Sequence, residues 1–280
     1  MQSASASRPD ERYGKAREGD GGLTTVIETL TSLLPDDLSV TVAIALVGIS
    51  FITSMLTAAF GIGGGIAMLS VMALLLPAPA IIPVHGVVQL GSNAGRCLIL
   101  RAHVIRDALL PFALGSAVGT FAGGAVAVSL PAPAIQAGVG LFVLWSLYLP
   151  MPGFGRLAMP VGGLVSSALT MFFGATGPFV ASLVKLLKPT RQAQVATHAA
   201  LMTIQHTLKV VVFGLFGFAF AGYLPLVAAM IAAGFLGTMA GGRILMKLED
   251  RTFQVAFTAI LTVLALRLVW SGATGLMAGT

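Results

Sequence analysis

The chain has 280 residues, 56% of them hydrophobic and only 9% charged, with a net charge of +6. A soluble domain carries about 25% charged residues, so the composition excludes a soluble enzyme or nucleic-acid-binding module and requires a lipid bilayer. The basic residues sit mostly in short loops, where they set topology rather than attract nucleic acid, and the single Cys97 excludes an internal disulfide.

Residues 1–22 are polar with cancelling charges and no apolar stretch, so they read as a disordered tail rather than a secretory signal. Leu23, Val26, Ile27, Leu30, Leu33 and Leu34 recur at helical spacing and predict a short helix lying on the membrane surface. Long apolar segments follow at 40–60, 81–100, 108–130, 133–149, 197–216, 224–246 and 253–270, each long enough or nearly so to cross ~30 Å of hydrocarbon. Two shorter pieces, 66–76 and 178–188, come after glycine-rich breaks, and the run 161–173 is too short to cross untilted.

The chain is a tandem duplication. Residues 48–96 align with 161–209 without a gap at an offset of 113, which sets Thr57 over Thr170, Phe60-Gly61 over Phe173-Gly174, Gly64 over Gly177, His85 over His198 and Arg96 over Lys209. After a five-residue insertion the offset becomes 118, with Gly119-Thr120 over Gly237-Thr238 and Gln136 over Gln254. Transporters are commonly built from two such halves with the substrate site between them.

Loops 101–107, 150–160, 185–194 and 243–252 carry Lys and Arg, whereas 77–82, 131–133 and 217–224 carry none. The positive-inside rule makes the first group cytoplasmic and the second external. Segment 161–188 must then enter and return from the cytoplasm, and 40–76 must do the same from outside. The expected fold is an all-α polytopic membrane protein of two inverted repeats. Each repeat is a broken re-entrant helical hairpin plus three transmembrane helices, and both termini are external. If 40–60 spans alone, the repeats are parallel instead. The domain reading is a tail with an interfacial helix at 1–37, repeat 1 at 38–149, repeat 2 at 150–272 and a C-terminal tail at 273–280.

Two features carry chemistry. The breaks Gly61-Ile62-Gly63-Gly64-Gly65 and Gly174-Ala175-Thr176-Gly177-Pro178 put irregular backbone at membrane depth, which is tolerated only inside protein or beside a wet cavity. Each is followed by a helix whose N-terminal amides and positive dipole end favour an anion, and Pro178 suits the first turn of such a helix. The competing reading is close helix packing, which is preferred for Gly115, Gly119 and Gly123 at four-residue spacing. The second feature is a polar stripe: His85, Gln89, Ser92, Asn93 and Arg96 share one helix face, and their counterparts are His198, Met202, Gln205, His206 and Lys209. Arg96 and Lys209 must face protein, water or headgroups, because an intramembrane charge costs ~2.5–3.5 kcal/mol at the bilayer centre. After Asp37 the only carboxylates are Asp107, Glu249 and Asp250, all at segment ends. The interior cations therefore have either an anionic substrate as partner or a snorkelling path to headgroups.

The candidate substrate-binding set is Gly61, Gly63, Gly64, Gly65, Gln89, Ser92, Asn93, Arg96, Gly174, Thr176, Gly177, Gln205, His206 and Lys209. His85, His198 and His206 are the proton-coupling candidates, since they alone titrate near neutrality in the interior; each is equally open to a structural, hydrogen-bonded role. No paired interior carboxylates, nucleophile elbow, zinc motif or nucleotide loop is present, so neither catalysis, a metal nor a cofactor is expected.

At these glycine motifs and polar segments, over roughly 40–272, the sequence resembles the TauE/SafE family of sulfite and organosulfonate transporters. The resemblance implies a small anionic substrate (sulfite or a sulfonate), export across a bacterial plasma membrane, and no enzyme activity. The family often has a Thr-Ser pair in the second segment where this chain has Gln89 and Ser92-Asn93. The leading expectation is a secondary transporter with alternating access around a midplane site. The alternatives are an anion channel and an uptake carrier for a different small organic anion, and self-association into a homo-oligomer stays open.

Overall fold

The structure is a computed structural model and describes residues 31–32, 34–35, 38–60, 63–127, 130–149, 158–244 and 250–279. The expected polar tail, most of the interfacial stretch 23–34, the tip residue Gly61 and most of loop 150–160 lie outside the described residues.

The described residues form ten α-helices and no strand: α1 Val40–Phe60, α2 Gly64–Leu75, α3 Ala78–Ile99, α4 Leu109–Ala127, α5 Ala132–Tyr148, α6 Ala158–Phe173, α7 Gly177–Lys185, α8 Arg191–Leu215, α9 Leu224–Ile244 and α10 Asp250–Ala278. Four stretches are long and apolar enough to cross a membrane by length and composition: Val40–Ala58, Arg106–Ala127, Phe220–Gly241 and Leu261–Ala278. Their outward faces present Ile44, Leu114, Val118, Phe121, Phe235, Leu236, Val263 and Trp270. An exposed apolar belt of this extent calls for lipid rather than water. The chain is thus an all-α polytopic membrane protein. Helices α3 and α8, which correspond to the apolar segments 81–100 and 197–216, are long enough to span but carry too many polar residues to stand among those four stretches, and they pack against each other in the interior.

Both glycine breaks turn the chain back on itself. A continuous helix would place residues 53 and 68 more than 20 Å apart at 1.5 Å per residue. Instead the Thr53 hydroxyl lies 3.8 Å from the Met68 sulfur. In the second half, a Cβ on Gly162 would meet the Leu183 side chain. The turn needs glycine at Gly63, with φ 105°, and at Gly174, with φ 80°, a region that side chains with a Cβ rarely adopt. Helix α1 with α2, and α6 with α7, are therefore V-shaped hairpins with their glycine-rich tips inside the protein.

Helix pairing follows the internal duplication. Helix α1 packs along α9, and α6 along α4; these are equivalent pairs when the two halves are superposed in sequence. The equivalent helices α3 and α8 pack on each other, as do α5 and α10. Close approach rests on small residues. A Cβ on Gly115, Gly119 or Gly123 would strike the backbone at Pro160, Leu164 or Ala168, and one on Gly237 or Gly241 would strike Phe51 or Met55. The four-residue glycine spacing is thus a packing device in both halves.

Candidate functional site

The two hairpin tips meet at the α3–α8 contact around a partly open cavity of about 40 Å³. Hairpin one supplies Thr57, Gly63, Gly65 and Ile66; hairpin two supplies Ala175, Gly177 and Pro178. Helix α3 supplies His85, Gln89, Asn93 and Arg96, and α8 supplies His198, Met202 and His206. Both halves of the chain therefore build one site. Helices α2 and α7 each begin at its wall, and neither has a side chain capping its first turn. Uncapped N-terminal amides with an aligned dipole are suited to negative charge.

The i, i+4, i+7 spacing on α3 brings Gln89, Asn93 and Arg96 to one face. Asn93 Nδ2 donates to the Gln89 carbonyl at 2.8 Å, which turns its Oδ1 toward Arg96. Arg96 Nη1 donates to Asn93 Oδ1 at 3.4 Å and Nη2 to Ser92 Oγ at 3.3 Å, both long contacts, while Nε has no partner among the described residues. Arg96 is only 7% exposed, so it does not snorkel to headgroups. Among the described residues it is the one charged side chain lining the cavity, and no carboxylate lines it. Arg96 also borders a second, larger groove of about 450 Å³ between α3 and α9, walled by Gly91, Gly95, Ile231 and Phe235.

The histidines occupy equivalent positions with unequal surroundings. His85 Nε2 lies 3.0 Å from the Gly65 carbonyl, and His198 Nε2 lies 3.0 Å from the Gly177 carbonyl. A carbonyl only accepts, so each Nε2 carries the proton. His85 Nδ1 is buried and unpartnered among the described residues, and so are both ring nitrogens of His206. The His85 and His206 rings meet edge to face with centroids 6.1 Å apart. Buried polar atoms are almost always paired, so a cluster of unpartnered ones on residues around one cavity makes it the candidate site.

The remaining expected residues lie behind this lining. Lys209 is fully buried and donates to Thr170 Oγ1 at 3.1 Å and to the Gly174 carbonyl at 2.9 Å. Lys209 thus takes neither the snorkelling path to headgroups nor a place in the cavity lining expected of a substrate ligand: its chain runs inward past Gly86, where a Cβ would lie 3.2 Å from Lys209 Cε, and it ties down the second hairpin tip. Gly174 serves as that tip's anchor. Gln205 Nε2 donates to Thr176 Oγ1 at 2.6 Å, which joins α8 to the start of α7. Ser92 supports Arg96 from the side. Gly64 packs against the Thr53 carbonyl and the Thr57 hydroxyl. The lining thus takes Gly63, Gly65, Gln89, Asn93, Arg96, Gly177 and His206 from the expected binding set, together with His85 and His198. Thr57, Ile66 and Ala175 were not singled out by residue type. Thr57 had a signal, its register over Thr170, but Ile66 and Ala175 look like any other apolar residue.

A comparison with curated proteins and with solved structures gives no match. A family model described as "Sulfite exporter TauE/SafE" matches residues 46–268, a span that contains both hairpin tips, both polar helices and every residue lining the cavity. The chain therefore belongs to the sulfite exporter TauE/SafE family of membrane transporters.

Proposed function

We propose that this protein exports sulfite or a closely related small sulfur oxyanion across a bacterial plasma membrane. In this reading it is a secondary carrier with alternating access around the cavity between the hairpin tips. The single observation that carries the proposal is that cavity: two uncapped helix N-termini, Arg96 and histidines with unpartnered ring nitrogens surround a space that no carboxylate among the described residues lines. Its size favours a compact ligand. A water needs about 10–15 Å³ measured in this way, so about 40 Å³ suits an ion of a few heavy atoms better than an extended organosulfonate. The two-fold helix pairing supports halves that rock about a fixed site, with the repeats inverted and the termini external as the basic loops require. The histidines His85, His198 and His206 are where a coupled proton would meet the anion.

Reconstituted protein should take up labelled sulfite into sulfite-loaded vesicles by counterflow. Flux should saturate, and excess unlabelled sulfite should compete where chloride and sulfoacetate do not. Flux that rises linearly with concentration would replace the carrier with a channel, and sulfoacetate competing as well as sulfite would remove the size argument.

A further inference from the structure

The residues lining the cavity carry unpartnered hydrogen-bond acceptors as well as donors, and that mixture constrains the ligand beyond its being an anion. The Gly65 carbonyl takes the Nε2 proton of His85, so Nδ1 of the neutral ring presents a lone pair. His206, with no partner on either nitrogen among the described residues, has one donor and one acceptor when neutral. A positive ring here would have no carboxylate among the described residues to balance it: the titratable and charged groups they place around the cavity are His85 and Arg96 from α3 and His198, His206 and Lys209 from α8, and the hairpin lining residues contribute none. An uncompensated second charge in such an interior is costly.

A fully ionised oxyanion only accepts hydrogen bonds. It satisfies the Arg96 Nε–H and the helix amides, but it sets its own lone pairs against those of His85 and His206. An anion that keeps one proton donates to one of these nitrogens while its other oxygens accept. Its single negative charge also matches the one cation that lines the cavity, Arg96, since the Lys209 ammonium is turned to Thr170 and the Gly174 carbonyl. Resting on the transport reading above, we propose that the site selects the monoprotonated form of its oxyanion, hydrogensulfite rather than the sulfite dianion, so that the coupled proton travels on the substrate instead of on a titrating side chain. Sulfite interconverts between these forms near neutrality, so the monoanion is available to the site on both sides of the membrane.

The test is binding calorimetry on the full chain in detergent at a series of pH values, with three anions. Sulfite and selenite both keep a second proton that ionises, selenite at higher pH. Methanesulfonate is a monoanion throughout and has no proton to give. A Cys97→Ser background removes the thiol that selenite would oxidise. Apparent affinity for total sulfite should fall about tenfold per pH unit above its ionisation, because only the competent fraction binds. The selenite curve should be displaced along selenite's own ionisation. Methanesulfonate should bind weakly and without a pH trend. His206→Leu should shrink the preference for sulfite over methanesulfonate by about tenfold, the loss expected when one hydrogen bond is removed. One shared pH profile for sulfite and selenite, or a methanesulfonate profile that follows them, would place the proton on the protein and overturn the proposal. A flat sulfite curve would show that the dianion is accepted and overturn it too. Failure of every anion to bind at any pH would refute the site itself, and with it the transport reading.

Discussion

Gly64 and Gly177 occupy the same position in the two halves, yet the structure gives them opposite sensitivities to one added methyl group. At Gly64 a Cβ would fall on the Thr53 carbonyl and the Thr57 hydroxyl, with the Thr53 carbonyl carbon at 2.9 Å. Backbone cannot yield as a side-chain end can, so α2 must move off α1. Overpacking of this kind costs about 1–3 kcal/mol, and the upper end applies here. At Gly177 the nearest atom to a Cβ is His198 Nε2 at 3.9 Å, an ordinary contact. Alanine also favours a helix over glycine by up to about 1 kcal/mol. Gly177→Ala should therefore be as stable as the wild type or slightly more so. Its methyl, however, lies at the wall of a cavity of about 40 Å³ and occupies space comparable to the roughly 10–15 Å³ that one water needs. Sulfite affinity should fall at least about tenfold, equivalent to about 1.4 kcal/mol. Thermal unfolding and calorimetric sulfite binding on the same two preparations separate the effects. Gly177→Ala that binds sulfite as the wild type does, or Gly64→Ala that is fully stable, would refute this assignment of one glycine to the site and the other to packing.

Arg96→Gln keeps a donor near Asn93 but removes the lining charge; a hydrogen bond to a charged group is worth about 1.5–3 kcal/mol, so sulfite affinity should drop by more than tenfold with little change in unfolding temperature. Lys209→Met should leave the fold intact or firmer, since Thr170 Oγ1 still donates to the Gly174 carbonyl at 2.8 Å and a buried charge is often replaced by an apolar side chain at no cost; its effect on sulfite binding should be smaller than that of Arg96→Gln, and the opposite order would bring Lys209 into the site. Single cysteines introduced at Pro77 and Thr190, in a chain whose own Cys97 is replaced, should label from opposite faces of the membrane; labelling from one face would contradict the inverted arrangement.

Much of this site can be read from residue order alone because its two carriers are local patterns. Glycine clusters in apolar surroundings announce a broken helix, and a polar residue every third or fourth position announces a buried face. Those patterns lead to Gly63, Gly65, Gln89, Asn93, Arg96, Gly177 and His206, which line one cavity. What residue order does not carry is the distance between helices. Gly64 and Gly177 align, but only Gly64 has another helix's backbone against it. Lys209 aligns with Arg96, yet Gly86 on the facing helix leaves room for its chain to turn inward, whereas Arg96 ends at the cavity wall. Hydropathy likewise cannot give the α3–α8 contact, because a polar face that is buried against another polar face scores like a poor membrane span. The last helix runs unbroken to Ala278, past the end of its apolar run.

The most direct measurement is a crystal structure of the Cys97→Ser protein with selenite, located by the anomalous scattering of selenium. The account predicts one strong peak between the hairpin tips, within hydrogen-bonding distance of Arg96 and His206 and beside the first turns of α2 and α7. A peak in the groove beside Phe235 instead, or an occupied protein with the tip cavity empty, would contradict it.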